Sequence, residues 1–108
     1  MTDDAATWVD VGPADEVPRG GHRVYEVDGR FVAVYDVQGE LYAVEDVCTH
    51  DGNPLSDGPV EGTELICSRH GARFCLKTGA ALTPPAYEPV ATYPVARRDG
   101  RLLVGTAG

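Results

Sequence analysis

CTHDGNPLSDG, residues 48–58, and CSRHG, residues 67–71, decide how this chain is read. Cys48 and His50 stand one residue apart, Cys67 and His70 two. Between them they use two of the three cysteines and two of the three histidines in a chain of 108 residues. Both stretches are rich in turn formers. Thiolate and imidazole are ligands of soft and borderline metals. In a structural zinc site, paired cysteines are usually spaced by two or more residues so that both wrap one tetrahedral ion. With only Thr49 between them, Cys48 and His50 converge on one ion under strain and serve two adjacent ions more easily. Cys67 and His70 can do the same from a facing turn. The arrangement suits a binuclear cluster, with Cys48 and Cys67 on one iron and His50 and His70 on the other. A zinc-stabilised interaction module using the same four residues stays open at this point.

Charge counting shows what mixed ligation achieves. Two ferric ions, two sulfides and two thiolates sum to zero when both imidazoles are neutral, whereas a four-thiolate cluster starts at minus two. Neutral imidazoles therefore make reduction easier, which moves the potential into a range of roughly −150 to +300 mV. The free ring nitrogen of each imidazole also links electron affinity to proton affinity.

Outward from the two pairs, the flanking sequence reads as strands. RVYEV and RFVAVYDV flank Asp28-Gly29, and YPVARR and RLLVG flank Asp99-Gly100; both dipeptides are two-residue hairpin signals. ELYAVED follows Gln38-Gly39. In RFVAVYDV both alternating faces are largely apolar, as in a strand buried between two layers. No segment holds a helical period over three turns. An all-β fold, sandwich or barrel, is expected. Residues 45–87 differ: DGNP, SDGP and TPPA are turn chemistry, and only ELIC and ARFCL are short strand candidates. The expectation is one domain over residues 1–108, with a loop-rich cluster-binding subdomain at about 45–87 on a β scaffold made by both ends of the chain.

Composition narrows the partners. With 17 acidic and 9 basic residues the formal charge is −8, which argues against nucleic acid and anionic lipid and favours steering toward a basic partner surface. The start, MTDDAATW, lacks the features of a signal peptide, and no apolar run is long enough to span a bilayer. A cytoplasmic protein without a disulfide framework is expected.

The four-ligand pattern, C-T-H, sixteen residues, then C-S-R-H-G, resembles the Rieske iron–sulfur motif. The similarity continues upstream through FVAVYDVQGELYAVEDVCTHDGNPLSDG and downstream through HGARFCLKTGAALTPPAYEPVATYPV, covering about residues 8–105. The resemblance is to the Rieske-type [2Fe-2S] ferredoxins of aromatic-ring (non-haem iron) dioxygenase systems. It implies three small antiparallel sheets with the cluster at the tip of two loops. It also implies Cys48 and Cys67 on the inner iron, His50 and His70 on the outer iron, and a covering loop at Pro84-Pro85. In the respiratory branch of the family each ligand loop carries a further, disulfide-bonded cysteine; Asn53 and Arg69 stand here at those places. Gly71 and Ala72 stand where that branch has a serine bonded to a cluster sulfide. Fewer hydrogen bonds to the sulfurs, together with the expected absence of a membrane anchor, point to the lower-potential ferredoxin branch. Cys75 departs from the branch, where an aspartate is expected.

The implied function is one-electron transfer from a flavin-containing reductase to a terminal non-haem iron oxygenase, by a carrier expected to act as a monomer. It is not an enzyme in its own right, since His22 is the only histidine left for any mononuclear iron site. The alternative is a Rieske electron-transfer protein tied to iron–sulfur assembly or a reductase small subunit. Pro54, Leu55 and Pro84 are expected to form neutral flats for brief docking. Cys75 is expected to be a small buried residue beside Phe74, His22 a solvated surface residue, and Trp8 and Tyr93 core aromatics rather than electron relays.

Overall fold

The structure is a computed structural model that describes residues 6–47, 54–67, 71–83 and 88–107. Ten strands follow in order: β1 Ala6–Pro13, β2 His22–Val27, β3 Arg30–Val37, β4 Glu40–Glu45, β5 Val60–Glu61, β6 Glu64–Ile66, β7 Arg73–Cys75, β8 Thr92–Tyr93, β9 Val95–Arg98 and β10 Arg101–Ala107. They form three antiparallel sheets, ordered β1-β10-β9, β2-β3-β4-β8 and β5-β6-β7. No α-helix occurs among the described residues; two short 3-10 turns, Ala14–Glu16 and Leu55–Asp57, complete the regular structure. Among the described residues no helix is long and apolar enough to cross a membrane.

The tight turns follow from residue type. Asp28-Gly29, Gln38-Gly39 and Asp99-Gly100 all have positive φ at both positions, the backbone of a two-residue turn whose twist matches antiparallel strands. They join β2 to β3, β3 to β4 and β9 to β10.

β3 lies between two cores. Its Ala33 and Tyr35 belong to a cluster with Val44, Leu55, Leu65, Cys67, Ala72, Phe74, Leu76 and Val90. Its Val32 and Val34 face the opposite way, toward Ala14, Val17, Val27, Ala43, Leu102 and Val104. The period-two alternation of a strand thus feeds two apolar layers at once. The four-stranded sheet is the middle layer, with β1-β10-β9 on one face and the loop-rich unit of β5-β6-β7 on the other.

Two local expectations are corrected. YPVARR does not run as one strand: Pro94, which has no N–H for a ladder, separates β8 in the middle sheet from β9 in the terminal sheet. Its carbonyl is instead taken by Gly105 N–H at 2.7 Å. Trp8 is not a core aromatic but 45% exposed. On β1 the inward positions are Val9 and Val11, which pack against the second core, so alternation turns Trp8 outward. Tyr93 is half-buried against that same core.

Asp36, at 5% exposure, is the buried charge among the described residues. Its carboxylate accepts Gly39 N–H at 3.0 Å and the Arg97 guanidinium at 2.9 Å, tying the β3–β4 turn to β9. The Gly39 N–H holds its pKa below the ordinary 3.8, against burial, which raises it; Gly20 N–H and Arg97 add to the lowering. A carboxyl with a lower pKa folded than unfolded binds fewer protons when folded. Its contribution is therefore complete above the unfolded value and is lost as pH falls through the folded one. Asp36→Asn is expected to cost about 2 kcal/mol at neutral pH. The gap in Tm between the two proteins should shrink as pH falls below 3.8; an unchanged gap at pH 2 would refute the linkage.

Candidate metal centre

Of the four ligand candidates, Cys67 lies among the described residues; Cys48, His50 and His70 lie outside them, as do Asn53, Arg69, Pro84 and Pro85. What the structure shows is the frame from which each of these segments springs.

The first segment leaves β4 through a three-residue turn, with Val47 N–H donating to Glu45 O at 2.8 Å. Asp46, at its centre, donates its N–H to Phe31 O at 2.8 Å. The chain returns at the 3-10 turn Leu55–Asp57. There Ser56 gives its N–H to one Asp46 carboxylate oxygen at 2.7 Å and its hydroxyl to the other at 2.8 Å. Leu55 is fully buried in the first core and anchors the return. Leu55 is therefore not part of a surface flat, whereas Pro54 beside it is exposed.

The second segment springs from Cys67 and closes on itself. Cys67 N–H donates to Ala72 O at 2.7 Å, and Gly71 N–H returns to Cys67 O at 2.9 Å. Gly71, at φ 73, supplies the left-handed residue that turns the chain back into β7.

The third segment, residues 84–87, stands between two further anchors. Before it, Arg73 N–H donates to Thr83 Oγ1 at 3.0 Å and Leu82 N–H to Arg73 O at 2.8 Å. After it, Val90 N–H donates to Gly79 O at 2.8 Å, and Ala91 O accepts Glu45 N–H at 2.8 Å. The last bond joins the third segment's root to the residue next to Asp46. The Arg73 side chain braces the unit from outside, reaching Glu61 at 3.0 Å and Glu64 at 3.1 Å.

Cys67 is 2% exposed, unpaired with any other cysteine, and packed in the first core with Leu65, Ala72 and Phe74. An uncommitted soft donor in dry surroundings, three residues before His70 in sequence, fits the inner ligand of a mixed thiolate–imidazole cluster. Among the described residues no three His, Cys, Asp or Glu side chains could together hold a metal ion.

The remaining candidates fall outside this frame. His22 is exposed on edge strand β2, with its ring stacked on Tyr35 at 5.0 Å between centroids. Cys75 is not a buried residue. β7 alternates, so Phe74 takes the inner face and Cys75 is half-exposed. The Thr78 hydroxyl holds its thiol below the usual cysteine range, against burial, which raises it; N–H groups of Thr78 and Lys77 and the Lys77 charge assist.

The Rieske [2Fe-2S] domain model matches residues 7–94. The chain belongs to the Rieske family. The cofactor of this Rieske protein is a [2Fe-2S] cluster. It is 38% identical over 97 residues to the ferredoxin component of the naphthalene 1,2-dioxygenase/salicylate 5-hydroxylase systems of a Ralstonia species, covering 90% of this chain and 93% of that one. The solved ferredoxin of carbazole 1,9a-dioxygenase from Nocardioides aromaticivorans matches with a TM-score of 0.84 and 31% identity over 91% of this chain and 96% of that one. A chain in the complex of reduced oxygenase and oxidized ferredoxin in carbazole 1,9a-dioxygenase matches with a TM-score of 0.81 and 33% identity, over 90% of this chain and 91% of that one. The zinc module reading is thereby set aside. Sequence reasoning singled out the Cys/His pairs as ligand candidates but passed over Asp46, Ser56 and Thr83, whose polar contacts each span ten residues and leave no periodic signal.

Proposed function

We infer that this protein is the one-electron carrier of a multicomponent aromatic-ring oxygenase. In this reading Cys48 and Cys67 hold the inner iron of the cluster, and His50 and His70 the outer one. The observation that carries the assignment is the buried, uncommitted Cys67 thiol, three residues before His70 in sequence. When bound, the cluster supplies a redox centre that takes and gives one electron, with proton affinity linked to it through the imidazoles. The chain's own part is positional. Its apolar core keeps water from Cys67, and the closed roots of the three segments keep the ligands from spreading as charge changes. Small reorganisation on electron transfer follows from that rigidity.

Curated relatives named as ferredoxin components of dioxygenase systems favour the carrier over a role in cluster assembly. They also favour an electron-transfer component over the oxygenase itself. The finer reading is a monomer in the cytoplasm that takes electrons from a flavin-containing reductase and delivers them to a terminal non-haem iron oxygenase. The same proposal treats residues 1–108 as one domain, in which about 45–87 bind the cluster and both ends form the scaffold.

Low-temperature EPR of the dithionite-reduced protein, with iron and acid-labile sulfide analysis, tests it. Equal iron and sulfide and a rhombic signal with average g below that of four-cysteine ferredoxins are expected, and Cys67→Ser should lose both colour and signal. A silent spectrum with bound zinc, or a Cys67→Ser protein that keeps its signal, would sink the assignment.

A further inference from the structure

We propose that Asp46 is a positioning residue for the cluster, acting through Ser56 as a clamp on the loop that carries Cys48 and His50. The proposal rests on the ligand assignment above. Three features single Asp46 out. Its backbone is fixed, since its N–H is held by Phe31 O at 2.8 Å and it is the centre of the turn closed by Val47 N–H on Glu45 O. Its side chain uses both oxygens on one residue, taking Ser56 N–H at 2.7 Å and Ser56 Oγ at 2.8 Å. These bonds join the two residues at which the loop leaves and rejoins the fold, ten positions apart.

The 3-10 turn explains why the bond has to come from so far away. The first N–H groups of any helical turn lack an internal partner. Local side chains usually supply it, but the residue before Leu55–Asp57 is Pro54, which makes no side-chain cap. Ser56 N–H would be left unsatisfied beside the fully buried Leu55. Asp46 caps the turn across the loop instead. The cap is an ionised acceptor, which makes both bonds charge-assisted. Releasing it leaves the return of the loop held by buried Leu55 without the tie to Asp46, while the other end stays pinned at Phe31. The ligands would then sample more geometries, and the iron would be exchanged or lost more readily.

Three substitutions separate the clamp from the charge. Asp46→Ala removes both bonds and the charge. Ser56→Ala keeps the charge and the backbone bond but loses the hydroxyl bond. Asp46→Asn loses the charge but can remake both bonds, since the amide oxygen accepts Ser56 N–H and the amide nitrogen donates to the hydroxyl. The experiment follows bleaching of the visible absorbance of the oxidised holoprotein in excess chelator, at a temperature where circular dichroism shows every variant folded. Asp46→Ala is expected to release its cluster about tenfold faster than the parent, equivalent to about 1.4 kcal/mol of barrier. Ser56→Ala should release it about threefold faster, and Asp46→Asn within twofold of the parent rate. Should Asp46→Ala fail to fold, Ser56→Ala and Asp46→Asn still decide. A common release rate for parent and Ser56→Ala overturns the clamp alone, and so does an Asp46→Asn protein at least tenfold faster than the parent. A parent protein that reconstitutes no iron and sulfide overturns the ligand assignment and the clamp with it.

Discussion

Phe74→Ala is expected to lower stability by about 3–5 kcal/mol, a fall in Tm of more than about 10 °C for a domain of this size. Phe74 is 1% exposed and shares the first core with Leu65, Cys67, Ala72, Leu76 and Val90. It is the largest fully buried side chain among the described residues, and β7 has too few residues to close over a void of that size. Its loss removes transfer free energy and leaves a cavity at β7, the strand that follows Cys67 and Gly71 in the chain. The effect should reach the cluster, because Cys67 packs in that cluster of side chains. The control is Phe31→Ala on the same fold. Phe31 is 59% exposed, and its removal should change stability by no more than about 0.5 kcal/mol. Urea unfolding of both variants checks the pair; equal effects would mean that the first core does not carry the fold as described.

The contrast between the two phenylalanines shows what was legible in the sequence. Phe31 and Phe74 are both aromatic residues in strand-like runs, and nothing local tells them apart. What could be read was written in short range. Asp28-Gly29 and Asp99-Gly100 demand left-handed backbone, so they announced their turns. The apolar residues on both faces of β3 announced two layers, and the structure has two cores on either side of it. The Rieske family was legible because residue type and spacing in the two Cys/His pairs restrict the chemistry before any fold is known.

What could not be read depends on contacts distant in sequence. Leu55 looked like a loop residue among Pro54, Ser56 and Asp57, yet it is fully buried in the first core because the return of the chain needs an anchor. Trp8 looked like core because of its size; it lies outward because β1 gives its inward positions to Val9 and Val11. The division of YPVARR at Pro94 between two sheets is set by the partner strands on either side. Asp46 and Ser56 read as ordinary polar residues, and only the closed loop reveals that they meet.

Gly79→Ala should be the most damaging single methyl group added at any described glycine. Gly79 sits at φ 80, which already strains an alanine by about 1 kcal/mol. Gly29, Gly39, Gly62 and Gly100 share positive φ, but a Cβ there meets nothing within 4 Å. At Gly79 the added carbon would fall on the carbonyl oxygen of Val90 and lie 3.0 Å from Thr92 Cγ2. The obstacle on the Val90 side is backbone, so no rotamer relieves it. Gly79 O must give up Val90 N–H, held now at 2.8 Å, and Val90 must leave a core in which it is 3% exposed. Strain, a lost backbone bond and a partly vacated core site together give about 3–4 kcal/mol. Gly62→Ala, with the strain alone, should cost about 1 kcal/mol. The functional consequence follows from where Val90 lies. Residues 84–87 stand between the anchor at Thr83 and the anchor at Val90, and that second anchor is also tied through Ala91 to Glu45, next to Asp46. A displaced Val90 therefore loosens the third segment and the root of the first together. Thermal unfolding of the Gly79→Ala and Gly62→Ala apoproteins checks the energetic ranking. Chelator release from their holoproteins checks the coupling: Gly79→Ala should lose its cluster faster and Gly62→Ala at the parent rate. Equal release from both would show that the Gly79–Val90 crossing supports the fold without supporting the site.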